Sequence, residues 1–304
     1  MMKYISILIA ALILLTVPTD AQAQVKRGFQ GENPYMPGIY PAPKDRRLAD
    51  IVAGFDPNNT QTMQTSLEKL KALEDDSLVG PEALMLRALF TNTGKKKSYA
   101  PAYNLLVQCT ELHPKYAGCH VWMGSYTHFG VGTKKDAEEA SKYFETAANL
   151  GSPAGQWNLG MDYLRGRGRE QNPELAFEWI EKSARQDYVP GLSSYSIMKS
   201  MGDGTLKDDK AAFLAAARGA HFGDARSFAM LGDMFARGEG HEKDLYLADI
   251  AILRAASKGH EGSEKMVDGL LKRLDPQDRA EFVAGAKAAE PRLNEIIKDA
   301  RLPE

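Results

Sequence analysis

The sequence has few of the residues that most metal-binding, nucleic-acid-binding or membrane-spanning proteins need. Its 304 residues include only two cysteines and three tryptophans, and the formal net charge is −2. Because no surplus of basic residues is present, the composition does not favour nucleic-acid binding. The apolar share of 43% is ordinary for a globular protein, and the length is ample for a sizeable core.

The one long apolar run lies near the N-terminus, from Tyr4 to Val17. It follows Lys3 and precedes Pro18, and Ala21-Gln22-Ala23 offers small residues to a signal peptidase. The run is short for a helix that crosses a bilayer. It therefore predicts a cleavable signal peptide, a periplasmic or secreted protein, and no stable membrane insertion after cleavage. An uncleaved membrane anchor is the alternative.

An exported protein lives in an oxidising compartment, which favours a disulfide between Cys109 and Cys119. The two residues stand on either side of a predicted turn at Pro114, so an antiparallel helix pair would place them opposite each other. We interpret the bridge as a structural staple, with a redox switch as the alternative. A zinc site needs four ligands and no companion set is visible, so no metal is expected.

A 36-residue internal repeat is the strongest pattern in the chain. Three columns of small residues recur in four copies without insertion. They are the glycines at 130, 166, 202 and 238, the glycines at 132, 168, 204 and 240, and the alanines at 140, 176, 212 and 248. A further column holds Gly124, Gly160 and Gly232, with Ser196 in the third copy, and another holds Gly151, Gly223 and Gly259, with Asp187 in the second.

Each unit predicts a helix, a glycine turn and a second helix. Asp136, Asn172, Asp208 and Asp244 stand four residues after the second glycine and are predicted to cap the second helix. Since neither helix can bury its apolar stripe alone, the units must stack. The fold class is therefore all-α, an α–α superhelix (solenoid) of stacked helix-turn-helix repeats with a 36-residue period and a concave and a convex face.

These columns resemble the Sel1-like repeat (SLR), a relative of the tetratricopeptide repeat (TPR). The second copy fits the family pattern through Leu159-Gly160, Tyr163, Gly166 and Gly168, and the first through Gly130-Val131-Gly132 and Asp136. Ser196 departs from it. The resemblance implies an exported bacterial member that acts as a non-enzymatic protein–protein interaction scaffold or regulator in the cell envelope, with an envelope protein or peptide as partner.

Periodicity and resemblance together divide the chain into consecutive segments. They are a signal peptide at 1–23; a proline-rich leader at 24–45, either disordered or able to dock on a partner or fold back into the groove; N-terminal capping helices at 46–80; a degenerate TPR-like repeat at 81–116; SLR repeats at 117–152, 153–188, 189–224 and 225–260; and C-terminal capping helices at 261–304. Within the last segment, a helix is expected to start at Asp275-Pro276 and end near Glu290.

No catalytic constellation can be assembled from the sequence. The Gly-x-Gly turns follow helices rather than strands, so they are caps and not dinucleotide loops. Ser66-x-x-Lys69 and Ser196-x-x-Lys199 lack the partner motifs of penicillin-recognising enzymes. We therefore expect no catalytic residues and no cofactor. The alternatives are a β-lactam-binding or -hydrolysing enzyme, as among cysteine-rich SLR relatives, and a secreted effector.

The predicted partner-binding surface comes from the related tetratricopeptide fold, in which certain first-helix side chains point into the groove. The matching positions are Ser125, His128, Phe129, Trp157, Met161, Arg165, Ile197, Met201, Asp233 and Arg237. An apolar ridge with basic edges would suit a helix or an extended peptide. Alternatively, Trp157 and Met161 simply pack against the neighbouring unit.

Overall fold

The computed structural model describes residues 45–53, 60–74, 80–91, 99–273 and 276–303, and every regular element in them is an α-helix. The predicted signal peptide, and the leader apart from Asp45, lie outside the described residues. The fourteen helices are α1 Arg46–Ala53, α2 Thr60–Lys71, α3 Gly80–Thr91, α4 Tyr99–Leu112, α5 Ala117–Phe129, α6 Ala137–Asn149, α7 Pro153–Arg165, α8 Pro173–Ala184, α9 Val189–Met201, α10 Asp209–His221, α11 Ala225–Arg237, α12 Leu245–Ser257, α13 Glu261–Arg273 and α14 Pro276–Asp299.

Packing divides the described chain into two compact units, which we call the N-terminal unit (residues 45–183) and the C-terminal unit (residues 184–303). In each unit, most helices that follow one another in sequence pack against each other. This arrangement of helix-turn-helix pairs confirms the all-α solenoid class. Among the described residues, no helix combines the length and the apolar character that crossing a membrane requires.

The N-terminal unit is held by a series of small apolar cores. Leu48 and Ile51 of α1 join Leu70 of α2 and Phe90 of α3 in the first of them. The next core surrounds the disulfide between Cys109 of α4 and Cys119 of α5, whose Cα atoms are 5.6 Å apart. Both cysteines are fully buried, so the bridge lies inside the core rather than on the surface. The predicted pairing is confirmed.

In the C-terminal unit, the long helix α14 lies against α10 and α12 and completes their core. The expected end near Glu290 is wrong, because α14 continues to Asp299 with Pro291 inside it. Contacts on both sides of the proline explain the continuation. Arg254 of α12 donates to Glu290 at 2.8 Å and to Asn294 at 2.7 Å, and Leu293 is fully buried.

The predicted second-helix caps are confirmed in all four repeats. The side chains of Asp136, Asn172, Asp208 and Asp244 each accept a hydrogen bond from the backbone N–H three residues later, at 2.9 to 3.0 Å. Such a cap satisfies one of the amides that the first turn of a helix leaves without a partner. The capped helices therefore begin where the repeat pattern placed them.

The repeat column that begins at Gly124 holds small residues because two helices pack closely there. A Cβ atom on Gly124, Gly160 or Gly232 would lie 2.6 to 2.7 Å from the side chain of Phe144, Ile180 or Ile252, respectively. In the third copy Ser196 replaces the glycine, and the bulky residue opposite is replaced by Ala216. The Ser196 hydroxyl donates to the Ala212 carbonyl at 2.8 Å. The departure at Ser196 is thus compensated within the same repeat.

Asp187 replaces a turn glycine in the second copy and keeps the left-handed backbone of that turn, with φ of 58°. Aspartate tolerates this conformation better than most residues do. Both of its carboxylate oxygens accept hydrogen bonds from Arg218 on α10, at 2.7 and 2.5 Å. This paired contact lowers the pKa of Asp187. The aspartate in the glycine column therefore links this turn to α10.

Candidate protein-interaction surface

The ten predicted partner-binding residues all lie on first helices of the repeats. The N-terminal unit carries six of them: Ser125, His128 and Phe129 on α5, and Trp157, Met161 and Arg165 on α7. The C-terminal unit carries the other four: Ile197 and Met201 on α9, and Asp233 and Arg237 on α11. Their exposure to solvent differs, so some of these side chains can contact a partner and others are buried in the core.

In the N-terminal unit, Phe129 is the predicted residue that offers apolar surface. Its side chain is 41% exposed, and the ring of His128 meets it edge-on with centroids 4.7 Å apart. Burial, together with the charges of Arg167 and Lys135, lowers the pKa of His128, so its imidazole is neutral at pH 7. Ser125 donates to the Val121 carbonyl at 2.9 Å within its own helix.

On α7, the next helix of that surface, the predicted residues range from buried to exposed. Met161 is only 7% exposed and therefore contributes to the core. Trp157 is half-buried and Arg165 is exposed. A partner could therefore contact Arg165 and part of Trp157 without any rearrangement of the helices.

In the C-terminal unit, the third repeat presents the clearest exposed apolar surface. Ile197 is 41% exposed and Met201 is 73% exposed, one helical turn apart on α9. Leu206, in the loop that follows, is 87% exposed and extends the same repeat's apolar surface. We call these three residues the repeat-3 strip.

The predicted surface contained only first-helix positions, so it did not include Leu206, which lies in a turn. The 36-residue alignment contains the signal, since the positions equivalent to Leu206 are Lys134, Glu170 and Glu242. A leucine in an otherwise charged and exposed column is an apolar residue that the fold does not require. Next in the alignment, α11 carries Asp233 and Arg237 as an exposed ion pair at 2.9 Å.

A buried polar cluster in the N-terminal unit was not predicted. Asp162 of α7 accepts a hydrogen bond from the Ser141 hydroxyl at 2.8 Å, and Arg167 lies 3.2 Å from its other oxygen. Arg169 donates to the same Ser141 hydroxyl at 2.6 Å and lies over the ring of Tyr163. The cluster therefore joins α6, α7 and the loop after α7.

Burial is the main reason that the pKa of Asp162 is raised to about 6. The hydrogen bond from Ser141 and the charges of Arg167 and Arg169 act in the opposite direction and offset part of the shift. Asp162 is almost fully buried, so its ionised form depends on these partners. The carboxyl group is poised to take up a proton just below neutral pH.

The repeat itself does not demand this cluster. Positions 72 residues further on, in the C-terminal unit, place Phe213, Met234 and His241 where the N-terminal unit has Ser141, Asp162 and Arg169. Phe213 stacks on His241 with ring centroids 5.2 Å apart. The same repeat interface can thus be built with aromatic contacts, and the polar version is particular to the first two SLR repeats.

The described residues contain no group of three or more His, Cys, Asp or Glu side chains placed to hold a metal ion. What the surface offers is a set of exposed apolar side chains on first helices, with charged side chains beside them. Exposed apolar patches of this kind are typical of protein interaction sites.

Comparison with known proteins agrees with the repeat geometry. The family model for the Sel1 repeat matches residues 118–152, 153–188 and 229–248. These matches show that the chain contains Sel1 repeats. Between the second and third matches, residues 189–228 are not matched, and this stretch contains Ser196, one of the departures from the repeat pattern. The Sel1-repeat fold is typical of scaffolds that bind other proteins.

Solved and curated relatives of this chain share its fold or short stretches of its sequence. A crystal structure of a Sel1 repeat protein from Oxalobacter formigenes matches with a TM-score of 0.61 and 21% identity, over 74% of this chain and 92% of that one, which shows the fold alone. The chitin synthase regulator SKT5 of Saccharomyces cerevisiae is 43% identical over 51 residues, 17% of this chain and 7% of that protein.

An uncharacterized protein of Neisseria meningitidis is 27% identical over 117 residues, 38% of this chain and 24% of its own length. The chain therefore spans only a small part of the curated relatives that it matches. Their sequence similarity supports the repeat and carries no activity over to this chain.

Proposed function

We propose that this protein is a non-enzymatic scaffold or regulator in the bacterial cell envelope, and that it binds a protein or peptide through the exposed side chains of its first helices. The repeat-3 strip is the apolar anchor of this surface. The apolar run near the N-terminus and the disulfide between Cys109 and Cys119 support an exported location.

The observation that carries the proposal is the exposure of Ile197, Met201 and Leu206 on one repeat. Exposed apolar side chains that cluster on one element, with charged residues beside them, mark interaction sites more often than isolated ones do. The alignment shows that the fold tolerates charge at two of these positions, because Met201 corresponds to Arg165 and Leu206 to Glu170. Function therefore explains these apolar residues better than stability does.

The geometry favours a partner helix or extended segment with two apolar residues about one turn apart. Ile197 and Met201 lie four residues apart and so present a ridge about 6 Å long. The ion pair between Asp233 and Arg237 supplies a polar margin at the next repeat. An exposed pair of this kind contributes little to stability, so its charges are available for a partner at small cost.

The test is a crosslinking pull-down from the envelope fraction that compares the wild type with an Ile197→Ser, Met201→Ser double variant. The matched control is Leu112→Ser, which also removes an exposed apolar side chain. We expect one enriched partner to be lost from the double variant and retained by the control. Equal capture by all three chains would refute the strip as the binding surface.

A further inference from the structure

A pocket of the N-terminal unit lies between α2, α3 and α4, and it is lined by none of the residues of the repeat-3 strip. Its volume is about 480 Å³, which is within the range of sites that hold a small ligand or a few residues of peptide. Leu67, Pro101 and Leu105 supply its apolar surface, and Gln64, Asn104 and Gln108 supply carboxamides. None of these residues is needed for the function proposed above.

The chemistry of this pocket fits an extended, proline-rich segment. Each carboxamide offers both hydrogen-bond donors and an acceptor. A proline-rich chain has no internal backbone hydrogen bonds and leaves its carbonyls free to accept. Pro101 and the two leucines provide an apolar floor for aromatic and proline rings. The pocket therefore has what such a segment lacks, namely side-chain N–H donors around an apolar surface.

The chain carries such a segment directly before the described residues. Residues 34–43 read Pro-Tyr-Met-Pro-Gly-Ile-Tyr-Pro-Ala-Pro. The described structure begins at Asp45, immediately before α1. Asp45 directly precedes α1, whose Leu48 packs in the same core as Leu86 of α3. After burial, the charge of Asp45 also contributes to the raised pKa of Glu82 on that helix.

This segment is long enough to reach from Asp45 to the pocket. Arg87, which lines the pocket, is five residues from Glu82 on the same helix, a rise of about 8 Å. Extended residues 40–45 span about 17 Å, and the whole of residues 24–44 spans several times more. Because the segment is tethered, its effective concentration at the pocket is of millimolar order, which an unlinked peptide would rarely reach.

We infer that the pocket between α2, α3 and α4 is a docking site for the proline-rich leader of the same chain, with Tyr40 and Pro41 as the residues that enter it. The leader then covers Leu67 and Leu105, and its carbonyls accept hydrogen bonds from the surrounding carboxamides. This contact uses none of the residues of the repeat-3 strip.

The test places a photo-crosslinking amino acid at Gln108 of the full chain, with the same replacement at Gln171 as the matched control. Gln171 is exposed on the loop before α8 and does not line the pocket. After irradiation and digestion, mass spectrometry should find position 108 joined to a peptide containing Tyr40. The Tyr40→Ala, Pro41→Ala variant should lower that yield at least fivefold, and position 171 should give no such product.

Mixing chains of two isotopic compositions separates the possible occupants. Products within one isotopic composition support docking in the same chain. Products between compositions would show a second copy in the pocket, and products only with neighbouring helices would show no docked leader; either result overturns the inference. The Ile197→Ser, Met201→Ser variant should leave the crosslink unchanged, so the two proposals fail independently.

Discussion

At the scale of single residues, this protein shows how a repeat tolerates exceptions. Ser196 and Asp187 both occupy glycine columns, and each is accompanied by a partner that makes the exception possible: Ala216 opposite the serine and Arg218 opposite the aspartate. Asp162 is an exception of another kind, because a carboxyl group is buried where the other three copies carry Tyr126, Met198 and Met234.

Asp162 should make stability depend on pH in a definite direction. Its pKa is about 6 in the folded protein and near 3.8 without burial, so the folded state binds the proton more tightly. The contribution of Asp162 to the free energy of unfolding should therefore be greatest below pH 4 and should fall as pH rises through 6, by up to about 3 kcal/mol. Urea unfolding of the wild type and of Asp162→Asn across pH 4–8 measures this contribution. The effects of the other carboxylates cancel in the difference between the two unfolding free energies at each pH. A difference that stays constant with pH contradicts the assignment.

The pair Ser196 and Ala216 should behave as one unit. Ala216→Ile alone should cost about 1–3 kcal/mol of unfolding free energy, because the new side chain meets that of Ser196. Adding Ser196→Gly recreates the combination found at Gly160 and Ile180 and should recover most of that loss. A double-mutant cycle by urea unfolding gives the coupling, and strict additivity would show that the two positions are independent.

At the scale of elements, α14 covers an apolar face of α10 and α12 that would otherwise be exposed to water. Ala217, Ile250 and Leu253 of α10 and α12 belong to the core that α14 completes. The equivalent positions in the first two repeats are Glu145, Glu178 and Glu181. The sequence thus changes from charged to apolar on the second helices that α14 covers.

Breaking the α14 contact should expose that apolar face. Leu293→Asp places a charge in a fully buried position, so α14 should detach, amide exchange across residues 281–299 should accelerate, and binding of an apolar dye should increase. Glu295→Ala, an exposed position on the same helix, is the control. If the Leu293 variant retains slow exchange in α14, the helix is held mainly by the polar contacts of Arg254.

The disulfide is the element-scale staple between α4 and α5. Reduction should lower the unfolding free energy by about 2–3 kcal/mol, the value that the chain-entropy model gives for a loop of this length. Urea unfolding with and without reductant measures the change, and a Cys109→Ala, Cys119→Ala variant should not respond to reductant. An unchanged midpoint for the wild type would mean that the buried core alone holds the turn.

At the scale of the whole molecule, binding and folding use different side chains. Ile197 and Met201 are exposed, so the Ile197→Ser, Met201→Ser variant should keep its melting temperature within a few degrees of the wild type. Loss of partner capture with an unchanged melting curve would assign the strip to binding. A large drop in melting temperature would show instead that these residues support the fold.

The sequence alone determined the repeat, its period, its helix caps and the cysteine pairing. These features depend on local backbone chemistry and on spacing, as at Asp136 and Asn172, and both can be read along the chain. Only the tertiary structure decided that Met161 is buried while Met201 is exposed, that Asp162 lies among Ser141, Arg167 and Arg169, and that α14 continues through Pro291. Each of these depends on contacts between residues far apart in the chain, and a periodic pattern specifies the equivalence of positions but not what packs against each one.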